Sequence, residues 1–318
     1  MKPKSDFTEL TQQVKQTAIK LGADLVGVAP AERFEVPSPF NEDKICSYLP
    51  TGYQPAEFLP GAKSVIIIGV RHLSGVLESN VTDLDTNYAF GNFGYVHINR
   101  TLNTLSFDLA RWLEDRSWTT LPLGAAGAIR FDEDKYREGK TIGPLNGIFS
   151  VKRAAVLAGV GRRAKNGLVA TPRYGTKVRL GALITAAPLE GAPLLEGAPC
   201  PSNCNTCVKV CPMQAIDAEG RIDHIKCYSD CGRRGKTVEE VIDRIMQSTT
   251  LWKPTTDYLA SEHSAIDGFG NRLCRAACMA FCPLGEKPNP NLAHRIKQWV
   301  NTRPKIEISL LPSVLVAL

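Results

Sequence analysis

"CPSNCNTCVKVCP", residues 200–212, places four cysteines within twelve residues and ends on Cys-Pro. A second run, "CRAACMAFCP" at 274–283, ends in the same way. Nine of the ten cysteines of the chain lie after residue 199, and Cys46 is the exception. A small segment with a thin apolar core needs staples of this kind to hold its fold. The cysteines therefore predict a small domain built around them.

Three kinds of group could be held by these thiols. Stable disulfides are rare in a reducing compartment, and the N-terminus "MKPKSDFTEL" has no apolar signal core that would direct export. Structural zinc prefers separated Cys-x2-Cys knuckles, and neither run ends that way. Runs with this spacing that end in Cys-Pro are typical of bacterial ferredoxins, in which the fourth cysteine ligates the other cluster. The spacing therefore favours two [4Fe–4S] clusters over zinc or disulfides.

The crossover rule divides eight of the cysteines into two sets. Set A, predicted to hold cluster A, comprises Cys200, Cys204, Cys207 and Cys282. Set B, predicted to hold cluster B, comprises Cys211, Cys227, Cys274 and Cys278. Cys46 and Cys231 are left over, and Cys231 is the alternative to Cys227.

The composition is that of an ordinary globular protein, with 318 residues, 43% of them hydrophobic and 22% charged. The net charge of +6 comes from dispersed Lys and Arg rather than from basic runs interleaved with aromatics, so it gives little support to a broad nucleic-acid binder. The longest apolar runs, such as "SVIIIGV" at 64–70, have the length of a strand. We therefore expect a cytoplasmic protein with no membrane span. The apolar ending at 309–318 predicts a docked strand, with a partner-binding tail as the alternative.

Apolar periodicity predicts alternating helices and strands before residue 190. The predicted helices lie at 7–21, 97–116 and 150–160, the last capped by Ser150. The predicted strands lie at 23–30, 64–70 and 177–189. This alternation predicts an α/β domain at 1–190. The Gly- and Pro-rich stretch at 190–200 then predicts a linker into a second domain at 191–318, with helices at 237–247 and 291–300.

The stretch "AGVGRRAKNGLVATPRYG" (158–175) is the other distinctive region. Its glycines allow close backbone approach to a flat or bulky group. Its Gly-x-Gly is not a dinucleotide fingerprint, because it follows a helix rather than a strand. The pattern therefore predicts either a packing role or a cofactor site.

This stretch and the two cysteine runs together resemble the epoxyqueuosine reductases and their relatives, the corrinoid reductive dehalogenases. The stretch "YAFGNFGYVHINRTLNTLSFDLARWLE" (88–114) also resembles the family's region in which Tyr-x-His precedes a long helix. The resemblance covers residues 5–290. It implies an α/β (α+β) nitroreductase-like cobalamin-binding domain, followed by a ferredoxin-like domain with two [4Fe–4S] clusters. In such enzymes one cluster feeds electrons to the corrin, whose reduced cobalt attacks or reduces the substrate.

The resemblance also implies site residues. The residues that would line the corrinoid, carried over by position, are Gly159, Gly161, Lys165, Asn166, Gly167, Tyr174 and Gly175. The candidates for a proton donor in the matched regions are Tyr88, Tyr95, His97 and Tyr174. Electrons would come from an external donor such as ferredoxin or flavodoxin.

Two departures from the family affect the predicted substrate. Epoxyqueuosine reductases carry an acid shortly before the Arg-Ala-Ala helix, whereas "GPLNGIFSVKRAA" (143–155) contains neither Asp nor Glu. The family's tRNA-binding enzymes also continue well past the ferredoxin-like domain, whereas this sequence ends at residue 318. Both departures argue against epoxyqueuosine as the substrate and tRNA as a partner, and they favour a small-molecule or nucleoside-like substrate.

The sequence thus predicts a cobalamin-dependent, iron–sulfur oxidoreductase, and two alternatives stay open. The first is an electron-transfer or corrinoid-reducing protein that serves another enzyme and has no substrate chemistry of its own. The second is a two-cluster ferredoxin whose α/β domain binds a flavin or nothing. Fold alone does not separate these functions.

Overall fold

The computed structural model of the chain describes residues 4–35, 54–82, 89–125, 129–130, 146–147, 149–222, 226–227, 276–286 and 291–303. Some features singled out in the sequence lie outside these ranges. They are Cys46, Tyr88, Cys231, Cys274, the helix predicted at 237–247 and the apolar ending at 309–318.

A four-stranded antiparallel sheet forms the centre of the α/β part. In spatial order its strands are β1 (Leu25–Pro30), β2 (Ser64–Arg71), β8 (Val178–Thr185) and β3 (Thr120–Gly124). Strand β2 is buried along most of its length, as its continuous β-branched run predicts for a strand covered on both faces. The two-stranded sheets pair β4 (Ile129–Arg130) with β5 (Asn146–Gly147), and β6 (Arg162–Arg163) with β7 (Val169–Ala170).

Helices cover both faces of the sheet. The helices of the α/β part are α1 (Lys4–Leu21), α2 (Pro55–Phe58), α3 (Ser74–Thr82), α4 (His97–Glu114) and α5 (Val151–Leu157). A 3₁₀ turn (Ala31–Phe34) follows β1, and a π-helical turn (Phe90–Val96) runs directly into α4. Mixed α/β content is therefore confirmed, with antiparallel strands.

The sidedness of β2 follows from the two-residue repeat of a strand. Ile66 and Ile68 pack with Leu102 and Leu109 of α4 on one face. Val65 and Ile67 belong to the core on the other face, which includes α5. Each fully buried aliphatic side chain of this kind stabilises the fold by roughly 1.5–3 kcal/mol. The central strand thus ties the two helical layers into one unit.

The cysteine-rich part is built from short helices. They are α6 (Thr206–Val210), α7 (Ala277–Ala280) and α8 (Leu292–Thr302). Trp299 of α8 donates its indole N–H to the Val210 carbonyl at 2.9 Å and packs near the Phe281 ring at 6.0 Å. Phe281 and Trp299 share one apolar core with Leu77 of α3 and Phe90 of the π-helical turn. The two predicted domains are therefore packed against each other.

None of the helices in the described part of the chain combines the length and the apolar character that crossing a membrane requires.

Candidate redox site

The four thiols of set A lie close together, although they come from different runs. Burial raises the pKa of Cys207 to about 11, and the Cys200, Cys282 and Cys204 thiols raise it further when ionised. Burial likewise raises the pKa of Cys200, on which Cys282 and Cys204 also act. Cys282 of the second run is thus a neighbour of the first three cysteines.

Set B shows the reciprocal arrangement. Burial raises the pKa of Cys278, and ionised thiols raise it further, with the larger contributions from Cys227 and Cys211 and the smaller ones from Cys207 and Cys282. Cys211 and Cys278 also pack in the same small apolar core. The fourth cysteine of the first run therefore lies beside the second run, as a crossed arrangement requires.

No group of three or more His, Cys, Asp or Glu side chains within the described ranges is close enough to hold a single metal ion. A [4Fe–4S] cluster takes its four cysteines on four different irons, so its ligands stand farther apart than those of one ion. Thiols must also lose their protons before they bind metal. The raised thiol pKa values therefore mean that metal binding would release protons.

Backbone N–H groups are directed at the cysteine sulfurs. Lys165 donates its backbone N–H to Cys200 Sγ at 3.5 Å, and Ala215 donates to Cys211 Sγ at 3.4 Å. The Val208 backbone N–H also bonds to Cys207 and favours its thiolate. Hydrogen bonds to sulfur tune the reduction potential of an iron–sulfur cluster. Both sets of thiols therefore have the surroundings that such clusters use.

A short turn at 164–168, here called the joint turn, reaches from the α/β part to both cysteine runs. The Lys165 ammonium donates to the Cys204 carbonyl and to Asn205 Oδ1, both at 3.1 Å. Buried Asn166 donates its Nδ2–H to the Cys278 carbonyl at 2.9 Å. Two adjacent residues thus fix one loop of each run against the α/β part.

The glycines predicted to line a corrinoid pack against protein backbone and side chains. A Cβ at Gly159 would collide with the Pro193 carbonyl, and one at Gly161 would lie 2.5 Å from the Ala170 carbonyl. A Cβ at Gly167 would collide with Ile222, and one at Gly175 with the Leu284 carbonyl. These positions therefore need glycine for packing. A corrinoid-lining role for them, Lys165 and Asn166 stays a prediction.

Asn166 offers a direct test of the joint turn. In Asn166→Asp, a carboxylate oxygen faces the Cys278 carbonyl in place of the N–H donor, which costs about 1–3 kcal/mol. We expect iron bound by set B to leave about tenfold faster in the presence of a chelator. Asn103→Asp is the control, because Asn103 accepts a bond from Ala125 N and keeps that ability as Asp. Equal iron release from the two variants would contradict the assigned role.

Of the predicted proton donors, Tyr95 lies beneath a charged side chain. The Arg179 guanidinium stands over the Tyr95 ring, 4.8 Å from its centroid, and donates to Asn99 Oδ1 at 2.9 Å. Tyr95 belongs to the π-helical turn, a distortion frequent at functional sites. Exposed His97 begins α4 with its ring 6.1 Å from that of Phe93. Tyr174 lines a separate cleft.

Asn99, Arg179 and Lys152 were not among the residues predicted from the sequence. Lys152 lies at the start of α5, and its charge interacts with that of Arg179. Burial lowers its pKa, the Cys227 and Cys278 thiolates raise it, and Arg179 lowers it. Lys152 therefore faces both set B and Arg179. Lys152 lies in the stretch 143–155, where its positive charge is the sequence signal that points to it.

His72 gives the stability of the folded chain a pH dependence. Burial, with the Arg179 charge as a second cause, lowers the pKa of His72 from 6.5 to about 4. Below about pH 6.5 the unfolded chain therefore binds a proton at His72, whereas the folded chain does not. Stability that is present above pH 6.5 is lost as the pH falls toward 4.

We expect His72→Phe to remove this loss of stability. The phenyl ring keeps the stack on Phe90, whose centroid lies 6.2 Å away, but does not titrate. Between about pH 7.5 and about pH 5.5 the wild type should lose about 1 kcal/mol of unfolding free energy more than the variant. Urea unfolding at both pH values measures the difference. Equal losses in the two proteins would contradict the assigned pKa of His72.

The fold agrees with comparisons to known proteins. The chain is 27% identical over 244 residues to the epoxyqueuosine reductase of Staphylococcus aureus, covering 70% of this chain and 57% of that enzyme. A crystal structure of epoxyqueuosine reductase with a tRNA-Tyr stem loop matches 91% of this chain and 68% of that one, with a TM-score of 0.53 at 19% identity. A catabolic reductive dehalogenase matches 87% of this chain and 36% of its own length, with a TM-score of 0.50 at 15% identity. No protein-family model matches the chain.

The matched proteins are oxidoreductases by name, which is the class that the sequence predicts for this chain. They also confirm the particular resemblance, which is to the epoxyqueuosine reductases. The chain spans 57% of the length of the Staphylococcus aureus relative, so that enzyme's substrate does not transfer to it by similarity alone. The matched epoxyqueuosine reductase is bound to a tRNA stem loop, so the expectation that tRNA is not a partner of this chain is not supported.

Proposed function

We propose that this chain is a cobalamin-dependent iron–sulfur reductase, in which two [4Fe–4S] clusters pass electrons to a corrinoid that reduces a small-molecule or nucleoside-like substrate. In this proposal the α/β part (1–190) is a nitroreductase-like corrinoid-binding domain. The part from 191 to 318 is a ferredoxin-like domain. The observation that carries the proposal is the crossed placement of the thiols, with Cys282 beside the first run and Cys211 beside the second.

The cysteines are the ligands in this proposal. Set A holds one cluster and set B the other, with Cys274 supplied from outside the described residues. The chain contributes N–H donors from Lys165 and Ala215 to the ligand sulfurs, and hydrogen bonds of this kind stabilise the added negative charge of a reduced cluster. Lys165 adds a positive charge beside the Cys204 loop.

The corrinoid, when bound, supplies a metal centre that carries electrons to the substrate. The residues that would hold it are Asn99, Lys152 and Arg179, whose polar groups suit the amides and the phosphate of a corrinoid. Lys152 is near Cys227 and Cys278, so a molecule held there would lie beside set B. The polar groups of these residues therefore fit a corrinoid.

The Tyr95 phenol is the proton donor in the proposed reaction. Arg179, fixed by Asn99, stands over the Tyr95 ring, so a phenolate left after proton transfer would lie beside a guanidinium. Preorganised positive charge of this kind stabilises negative charge that develops during a reaction. The Lys152 ammonium, whose charge interacts with that of Arg179, would stabilise the same negative charge and can return a proton. Tyr95 and Lys152 thus offer proton donors in place of the missing carboxylic acid.

The test is to incubate anaerobically purified protein with hydroxocobalamin, remove the free cofactor, and assay candidate substrates under strong reductant. The proposal predicts one bound cobalt per chain, and a Tyr95→Phe variant that keeps iron and cobalt but loses about 10²–10⁴-fold in turnover. Iron without cobalt uptake would overturn the corrinoid mechanism. Cobalt uptake without turnover, together with faster activation of a partner enzyme, would instead support the electron-transfer alternative. That alternative is favoured by the lack of an acid at 143–155.

A further inference from the structure

A cleft of about 650 Å³ lies where the α/β part meets the cysteine-rich part. One wall comes from the end of α1, the end of β2 and the start of α3. The other wall comes from residues 173–177, the segment after α7, and Arg295 of α8. Tyr95, Asn99 and Arg179 lie on other elements, namely the π-helical turn, α4 and β8.

The cleft leads directly toward set A. Leu284 and Gly285 line it, and they follow Cys282-Pro283 in the chain. Gly175 and Gly285 bring the two backbones into contact, since a Cβ at Gly285 would lie 2.9 Å from the Gly175 nitrogen. Burial lowers the pKa of Lys177, which also lines the cleft, and a negative charge on Cys282 would raise it, so the two side chains lie near each other. A redox group held in the cleft would therefore be separated from cluster A by one short segment of chain.

The charged side chains that line the cleft leave a surplus of one positive charge, with four cations (Arg71, Arg173, Lys177 and Arg295) against three acids (Asp24, Glu78 and Glu286). Asp24 is paired with Arg71 at 3.3 Å, and Glu78 is paired with Arg295 at 2.7 Å. Within the described residues, the lining cations Arg173 and Lys177 have no ion pair, and Glu286 is the acid that faces them. Arg173 lies over the Tyr174 ring, 5.2 Å from its centroid.

Apolar side chains are exposed beside these charges. Ile19 of α1 lines the cleft and is 50% exposed, and Leu73, between the lining residues His72 and Ser74, is 55% exposed. An apolar patch rimmed by polar groups marks a protein interaction site, and complementary charge steers the encounter. The cleft therefore has the features of a docking surface for an acidic protein.

We propose that an acidic one-electron carrier protein, such as a ferredoxin or a flavodoxin, docks at this cleft and that electrons enter the chain through cluster A. The inference rests on the proposed function, because cluster A is part of it. With a flavodoxin, one electron leaves the flavin hydroquinone, which becomes the semiquinone. The same electron would reduce cluster A, which set A would hold, and no bond in this chain would form or break.

The test mixes reduced flavodoxin with the iron-loaded protein in an anaerobic stopped-flow experiment and follows bleaching of the clusters. Arg173→Glu reverses a charge at the cleft. Lys63→Glu is the matched control, because Lys63 is exposed at the opposite end of β2 from Arg71. Leu73→Ser tests the apolar rim without changing charge. Excess dithionite, which needs no docking, reports whether the clusters themselves are present and reducible.

At low salt, Arg173→Glu should slow the reaction with flavodoxin about tenfold. Leu73→Ser should slow it less, and Lys63→Glu should leave it within about twofold of wild type. Full reduction by dithionite with an unchanged flavodoxin rate in Arg173→Glu would overturn the docking site and leave the proposed function standing. Equal slowing by Lys63→Glu, or competition by inorganic phosphate at constant ionic strength, would also overturn it. Absence of dithionite-reducible clusters would instead contradict the proposed function.

Discussion

Replacing Cys282 by serine should remove the same cluster that Cys204→Ser removes, although the two cysteines belong to different runs. Cys282 lies among the thiols of the first run, so a crossed arrangement makes it the fourth ligand of cluster A. We expect iron to fall from about eight to about four per chain in either variant. The electron paramagnetic resonance spectrum of the surviving reduced cluster should be the same in both.

Cys211→Ser and Cys278→Ser form the matched pair, and both should remove cluster B. Cys46→Ser, at a cysteine left outside both sets, is the control that should retain all the iron. If Cys282→Ser and Cys278→Ser left the same surviving cluster, each run would hold its own cluster and the crossed assignment would be wrong.

Gly175→Ala should destabilise the chain by about 3 kcal/mol or more. Gly175 has a φ of +56°, where an L side chain is strained, and its Cβ would collide with the Leu284 carbonyl. Backbone cannot give way as a flexible side chain can, so the 284–285 segment has to move away from the α/β part. Urea unfolding measures the loss of stability, and iron analysis shows whether set A loses its metal as well.

Gly197→Ala separates the two causes of this effect. Gly197 has a similar positive φ of +75°, but a Cβ there would meet nothing within 4 Å. It should therefore cost only the backbone strain of about 1–2 kcal/mol. Equal losses in the two variants would show that the contact between residues 175 and 284 contributes nothing.

Local signals predicted the framework of the α/β part. The uninterrupted "SVIIIGV" predicted a doubly covered strand, and β2 runs from Ser64 to Arg71. Ser150 was predicted to cap a helix, and its Oγ accepts the Arg153 backbone N–H at 3.3 Å. These features depend on a few neighbouring residues, so they can be read from the chain. The antiparallel pairing of β2 with β8 depends on contacts between distant segments, and no local pattern specifies it.

The two Cys-Pro endings predict that Cys282 lies with the first run and Cys211 with the second, and the thiols interact in that way. The assignment of these cysteines as cluster ligands stays a prediction. The glycine-rich stretch was different, because glycine permits close approach without specifying what approaches. At Gly159 and Gly175 the approaching group is protein backbone. Arg179 lies in a strand whose pattern is largely apolar, and only the folded chain brings it over Tyr95.

The most direct test of the two-cluster assignment is the iron, zinc and acid-labile sulfide content of anaerobically purified protein, with the spectrum of its dithionite-reduced form. We expect about eight irons and about eight sulfides per chain, and two interacting reduced clusters. Zinc without sulfide, or about four irons in a chain with every cysteine intact, would contradict the two-cluster assignment.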